Sequence, residues 1–176
     1  MKKNSIALAL SVTALFTATN VMAYDGTVNF VGQILDTACT VDIGANNTLV
    51  VDMGNVYKTA FAAAGDEAST TKFTLRLINC PASVSTARVK FDGANDASDS
   101  TLLAIMPDPA AADGVAIRLK TADKTNLDLN QVNGYTYVVS STMDNNLDFY
   151  AAYVATRVPV MAGPANAVAN FTVNYN

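Results

Sequence analysis

The stretch GPANAVANFTVNYN, residues 163–176, decides how this chain is read. After Gly163, every second place is taken by Ala165, Ala167, Ala169, Phe171, Val173 and Tyr175, with Asn and Thr at most of the positions between. Side chains of a strand alternate between its two faces, so this spacing predicts a strand with one apolar face. Only Asn176 follows. That leaves no room for a further strand to cover the free edge, and the edge then requires a partner from elsewhere. Taken alone, the same strand also reads as the ordinary edge of a β-sandwich.

Upstream, short β-type runs are separated by clusters of Gly, Asn, Asp, Pro and Ala, the punctuation of an all-β sandwich. The predicted strands are Val28–Val41, Leu49–Met53, Lys72–Cys80, Ala87–Phe91, Leu102–Ile105, Val115–Thr121, Tyr135–Val139, Leu147–Thr156 and Ala167–Tyr175. Alternation places Phe73, Leu75 and Leu77 on an inner face, and Phe149, Ala151 and Tyr153 repeat the pattern. Thr59–Glu67 is Ala-rich but is interrupted by Gly65, which allows one short helical turn at most. The segments Asp92–Ser100 and Pro107–Gly114 lack periodicity and read as exposed loops. No repeat or linker divides the chain.

The N-terminus reads as an export signal. Lys2 and Lys3 precede an apolar run from Ile6 to Phe16, and Val21-Met22-Ala23 forms a small-residue exit. Cleavage after Ala23 makes residues 1–23 the signal peptide and starts the mature chain at Tyr24, whereas cleavage after Ala18 supplies a longer arm. No later run approaches a membrane span, so no direct membrane insertion is expected. Loss of Lys2 and Lys3 reduces the 11 basic residues to 9 against 15 acidic ones, a net charge of −6, which argues against nucleic acid or anionic lipid as partner. Cys39 and Cys80 are an exported pair, most simply read as one disulfide. A metal site is the weaker reading, because the chain has no His and two Cys do not complete a tetrahedral zinc shell.

Three motifs in order carry a family resemblance. Residues 26–39 read GTVNFVGQILDTAC, residues 73–80 read FTLRLINC and end on the second Cys, and the C-terminal stretch has Gly163 fourteenth from the end and Tyr175 penultimate. With these the mature chain resembles the type 1-like pilins assembled by the chaperone and usher pathway, major rod subunits in particular. The resemblance implies an incomplete immunoglobulin-like sandwich that lacks its last strand and is completed by a strand donated in trans. It makes residues 24–176 a pilin domain whose donor strand occupies about residues 24–33. Its donated face is Tyr24, Gly26, Val28 and Phe30, and the edge that accepts a chaperone or donor strand is Gly163, Ala167, Ala169, Phe171, Val173 and Tyr175. The implied partners are a periplasmic chaperone, an outer-membrane usher and neighbouring copies of the chain, with export through the periplasm to the cell-surface fimbrium. Gly26 matches a family Gly at a constriction of the neighbour's groove, or it is simply a flexible N-terminal residue. The arm before it is short, only Tyr24 and Asp25 if cleavage follows Ala23.

Other function classes find little support. Without His, a free Cys or a Gly-rich phosphate loop, an enzyme is left with scattered candidates such as Asp96, Ser98, Asp99 and Ser100, which read better as a solvated turn. No catalytic, cofactor-binding or metal-binding residue is expected. The sequence favours a structural fimbrial subunit that supports cell adhesion. A minor adaptor or tip pilin, or a small adhesin that binds a host receptor, stays open as the alternative.

Overall fold

A computed structural model of the protein describes residues 25–32, 34 and 37–176. The expected signal peptide and Tyr24 lie outside the described residues. The stretch ending at Ile34 and the stretch from Leu35 onward are separate units. In the first, residues 25–32 and 34 form no regular element, and Val28, Phe30 and Ile34 are 75%, 94% and 98% exposed.

The second unit is all-β. Its strands are β1 (Thr40–Val41), β2 (Glu67–Ile78), β3 (Thr86–Gly93), β4 (Leu103–Ala104), β5 (Val115–Lys120), β6 (Asn126–Leu127), β7 (Tyr137–Val138), β8 (Asn145–Ala155) and β9 (Ala169–Tyr175). The larger sheet runs β1-β2-β8-β5-β4, with β6 beside β4 on the outer edge of β5, and the smaller runs β7-β3-β9. Every pairing is antiparallel.

Alternation builds the core between these sheets. On β2, Leu75 and Leu77 are buried while Lys72 and Arg76 point to solvent and pair with Asp148 and with Asp42 and Asp144 on the outer side. Phe73 of β2 stacks on Phe149 of β8 at 5.6 Å, and from the smaller sheet Phe91 meets Phe149 edge-on at 5.1 Å. Tyr137 packs on Phe149 at 5.3 Å, and Phe171 lies 6.3 Å from Phe91. This aromatic cluster joins the two sheets. Beyond Ala151 the alternation on β8 gives way to burial of Ala152, Val154 and Ala155: Val154 packs with Leu102 and Ala116 on one face, and Ala155 with Phe61, Val115 and Val160.

The sandwich agrees with the sequence, but several boundaries differ. Of the expected strand Val28–Val41, only Thr40 and Val41 are strand among the described residues. Leu49–Met53 runs without any ladder. Both segments have strand composition, but a strand is defined by hydrogen bonds to a neighbour, and among the described residues none pairs with those before Thr40 or with Leu49–Met53. β2 begins at Glu67 rather than Lys72 because β8 supplies ladder partners as far as Val154. The Ala-rich turn reduces to a 3₁₀ turn at Lys58–Ala60. β6, two residues long, is too short to leave a periodicity in the sequence.

Candidate functional site

The chemistry of this domain is concentrated on an edge. β9 pairs with β3 from Gly93↔Ala169 through Phe91↔Phe171 and Val89↔Val173 to Ala87↔Tyr175. Among the described residues its other side has no strand. Its inward residues Ala169, Phe171, Val173 and Tyr175 are half-buried and rest on the core, as does Ala167 just before the strand, while Asn170, Thr172 and Asn174 are exposed. The strand is anchored at its end, where the Ser85 and Thr86 amides each donate to the Asn176 carbonyl at 2.9 Å. Burial raises the Tyr175 phenol above its ordinary value.

A second wall is formed by residues 49–56. Val51 and Met53 are half-buried and Val50 is exposed, and Met53 packs on the same core cluster as Phe171, Val173 and Tyr175. Where residues 54–61 face residues 160–166, a cavity of about 300 Å³ opens, lined by Val56, Phe61, Val115, Tyr153, Val160 and Ala165 among others. The Tyr153 hydroxyl donates to the Ala165 carbonyl at 3.0 Å. Burial, and after it the negative charge of Asp52, holds this phenol above its ordinary range.

Gly163 stands apart from the rest of the expected accepting edge. It lies six residues before β9, and a Cβ there would come within 2.2 Å of the Ala110 carbonyl oxygen and 2.5 Å of the Ala112 nitrogen. The segment 106–113 crosses it, held by bonds from Met106 N–H to the Asn166 carbonyl (2.7 Å) and from Ala112 N–H to the Pro164 carbonyl (2.9 Å). Only a residue without a side chain fits that crossing. The stretch Pro107–Gly114, expected to be a loop, is thus the strap that fixes where β9 begins.

The disulfide Cys39–Cys80 closes at the opposite end, with S–S 2.11 Å and Cα–Cα 4.1 Å across 41 positions of sequence. It joins the residue before β1 to the end of β2, next to the pair Thr40↔Ile78. Loop-closure entropy of that length corresponds to roughly 4 kcal/mol. Buried Asn145 donates to the Ser140 carbonyl at 2.9 Å and lies 3.5 Å from Cys80 Sγ, so the turn before β8 is tied to the same corner.

In the N-terminal segment, Gly26, Val28 and Phe30 are in phase at every second position, and Gly32 and Ile34 continue that phase. The continuation was legible in the same two-residue period, though the expected donated face stops at Phe30. A Cβ on Gly26 would meet nothing within 4 Å in this structure. Among the described residues no cluster of His, Cys, Asp or Glu is arranged to hold a metal, and no helix is long and apolar enough to cross a membrane.

Known proteins share this arrangement. The sequence profile of the fimbrial protein family matches residues 28–176. The probable major fimbrial subunit LpfA of Escherichia coli O157:H7 is 35% identical over 178 residues, covering 99% of this chain and 97% of its own. The type-1 fimbrial protein A chain of Escherichia coli K12 is 34% identical over 174 residues, 96% of this chain and 93% of its own. Among solved structures, the Burkholderia pseudomallei antigen and type I fimbria protein is 33% identical with a TM-score of 0.61, over 85% of this chain and 97% of that one. The P pilus rod subunit PapA, 21% identical, has the same fold with a TM-score of 0.65, over 80% of this chain and all of its own. A profile reaching from the N-terminal segment to the last residue and relatives matched over nearly their full length agree with a sandwich whose last strand keeps one free edge: the chain belongs to the fimbrial protein family.

Proposed function

We propose that this protein is a major rod subunit of a surface fimbria, exported by cleavage of residues 1–23, and that copies join by exchanging a strand. The observation that carries the reading is the half-buried apolar row Phe171, Val173 and Tyr175 on a strand with one open edge. Such an edge pairs readily with any extended chain. In strand addition the main-chain hydrogen bonds supply affinity, and side chains at alternate positions supply register. The N-terminal segment offers the matching pattern, with Val28 and Phe30 exposed and in phase. A strand entering beside β9 would meet a second set of unpaired backbone groups at residues 49–52 and would become a central strand rather than a new edge. Before assembly the same edge is an aggregation hazard, which is the physical reason for a periplasmic chaperone to hold it and for an usher to exchange that chaperone for the next subunit.

Deletion of Tyr24–Asn29 separates polymerisation from folding. The shortened subunit is expected to fold, to be captured by the chaperone and to stop fibre growth, because it has an accepting edge and no donor. Electron microscopy of cells that express it as the only copy, with sizing of heat-resistant polymers, checks this. Fibres of normal length would refute strand exchange, and loss of the chaperone complex would assign these residues to folding.

A further inference from the structure

Ser69 is the one residue other than glycine that has a positive φ inside a strand among the described residues, at +55°. β2 follows β8 in register from Leu77↔Asn145 to Thr71↔Ala151, and the next pair is Ala68↔Tyr153. Two residues of β2, Ser69 and Thr70, therefore stand against Ala152 alone. This is a β-bulge, a device that re-aims a side chain at a sheet edge. The left-handed conformation suits glycine and is disfavoured for serine, and the hydroxyl present at this position is used: Ser69 Oγ donates to the Met53 carbonyl at 2.5 Å.

Among the described residues no other hydrogen bond joins residues 49–56 to a strand. We propose that Ser69 is a positioning residue for strand capture, pinning the second wall of the groove at Met53. This rests on the strand-exchange reading above. A ladder of backbone bonds would also hold the wall, but it would consume groups an incoming strand needs. A single side-chain bond to one carbonyl holds the wall at Met53, at the mouth of the cavity that Gly54, Asn55 and Val56 line, and leaves the amides and carbonyls of Leu49–Asp52 free of protein partners. The half-buried Met53 side chain adds the apolar contact that keeps this point on the core.

The test uses the mature chain and a labelled synthetic peptide of its own residues 24–36. Peptide release and amide exchange are measured for wild type and for Ser69→Ala, Ser69→Gly and Ser69→Asn. Ser69→Ala and Ser69→Gly are expected to release the peptide about tenfold faster and to exchange faster over residues 49–56, with exchange in β8 unchanged. Ser69→Asn tolerates the left-handed backbone and retains a donor, so it should stay within about twofold of wild type. Ser69→Gly relaxes the backbone, so its faster release would trace to the lost hydroxyl and not to strain. Release at the wild-type rate from Ser69→Gly, or exchange rising equally through β2 and β8, would overturn the proposal and leave an ordinary bulge. A wild-type chain that does not hold the peptide at all would overturn the strand-exchange reading itself, and this proposal with it.

Discussion

β3 and β9 lie side by side, paired residue for residue, and both alternate apolar with polar. Yet Ala87, Val89 and Phe91 of β3 are 0%, 0% and 4% exposed, while their partners Tyr175, Val173 and Phe171 are only half-buried. Composition does not explain this, since the inward pairs Val89–Val173 and Phe91–Phe171 are identical residues and Tyr175 is bulkier than Ala87. Position does. β3 has β9 on one side and, on the other, β7 at Thr86–Ala87 and residues 130–132 at Lys90–Phe91, whereas among the described residues β9 has β3 alone. Inward-pointing side chains are sealed by both neighbouring strands as well as by the opposite sheet, so a strand with one neighbour keeps apolar surface open to whatever completes it. In one small sheet, the same pattern is sealed core in one strand and a half-open apolar row in the next.

Truncating the aromatic ring on each strand tests that contrast most strongly. Phe91→Ala should destabilise the free subunit by about 3–5 kcal/mol, the usual cost of emptying a core aromatic. Phe171→Ala should cost about half as much or less, because part of its surface is already in water. Urea unfolding of the free subunit measures both. If the fibre is measured instead, the Phe171 cost should rise toward that of Phe91 as the added strand covers it. Equal costs in the free subunit would break the comparison.

Gly163→Ala probes how β9 is set in place. The new methyl group cannot sit 2.2 Å from the Ala110 carbonyl, so either residues 110–112 or the start of β9 must move. Overpacking of this kind costs about 1–3 kcal/mol. Thermal unfolding, with limited proteolysis of the strap at residues 106–113, reads the loss, and an unchanged variant would show that the strap yields freely.

The smallest effect concerns alkali. Burial raises the Tyr175 phenol, so the folded state favours its neutral form more than the unfolded chain does. That contribution is fully present below about pH 10, where an unfolded tyrosine ionises, and is lost as pH rises through the higher folded value. For a half-exposed ring the slope should stay well under the ceiling of about 1.4 kcal/mol per pH unit for one proton. An ultraviolet titration of wild type against Tyr175→Phe isolates this phenol. In the fibre it should titrate later still, since an added strand removes the remaining water.

Much of this molecule was legible in its residues. Phe73, Leu75 and Leu77 announce an inner face, and the period of two from Ala165 to Tyr175 announces the strand that became β9. These readings succeed because which face a side chain takes is settled locally, by the pleat of its own backbone. Leu49–Met53 shows where local reasoning ends. Its residues favour a strand, but a strand also needs a partner, and among the described residues that segment has none. Gly163 shows the same limit from the other direction: its position in the motif was visible, but the Ala110–Ala112 backbone that requires a glycine there is fifty residues away in sequence. Nor does any residue type record that Ser69 turns left-handed to reach Met53. Sequence alone therefore determined the long paired strands β2, β3, β5, β8 and β9, their faces and the cysteine pair, each a property of residues a few positions apart or of the exported state. Tertiary structure alone decided which partner β9 pairs with, what faces its open edge and where the chain crosses itself, because hydrogen-bond ladders and close approaches depend on two distant segments arriving at the same place.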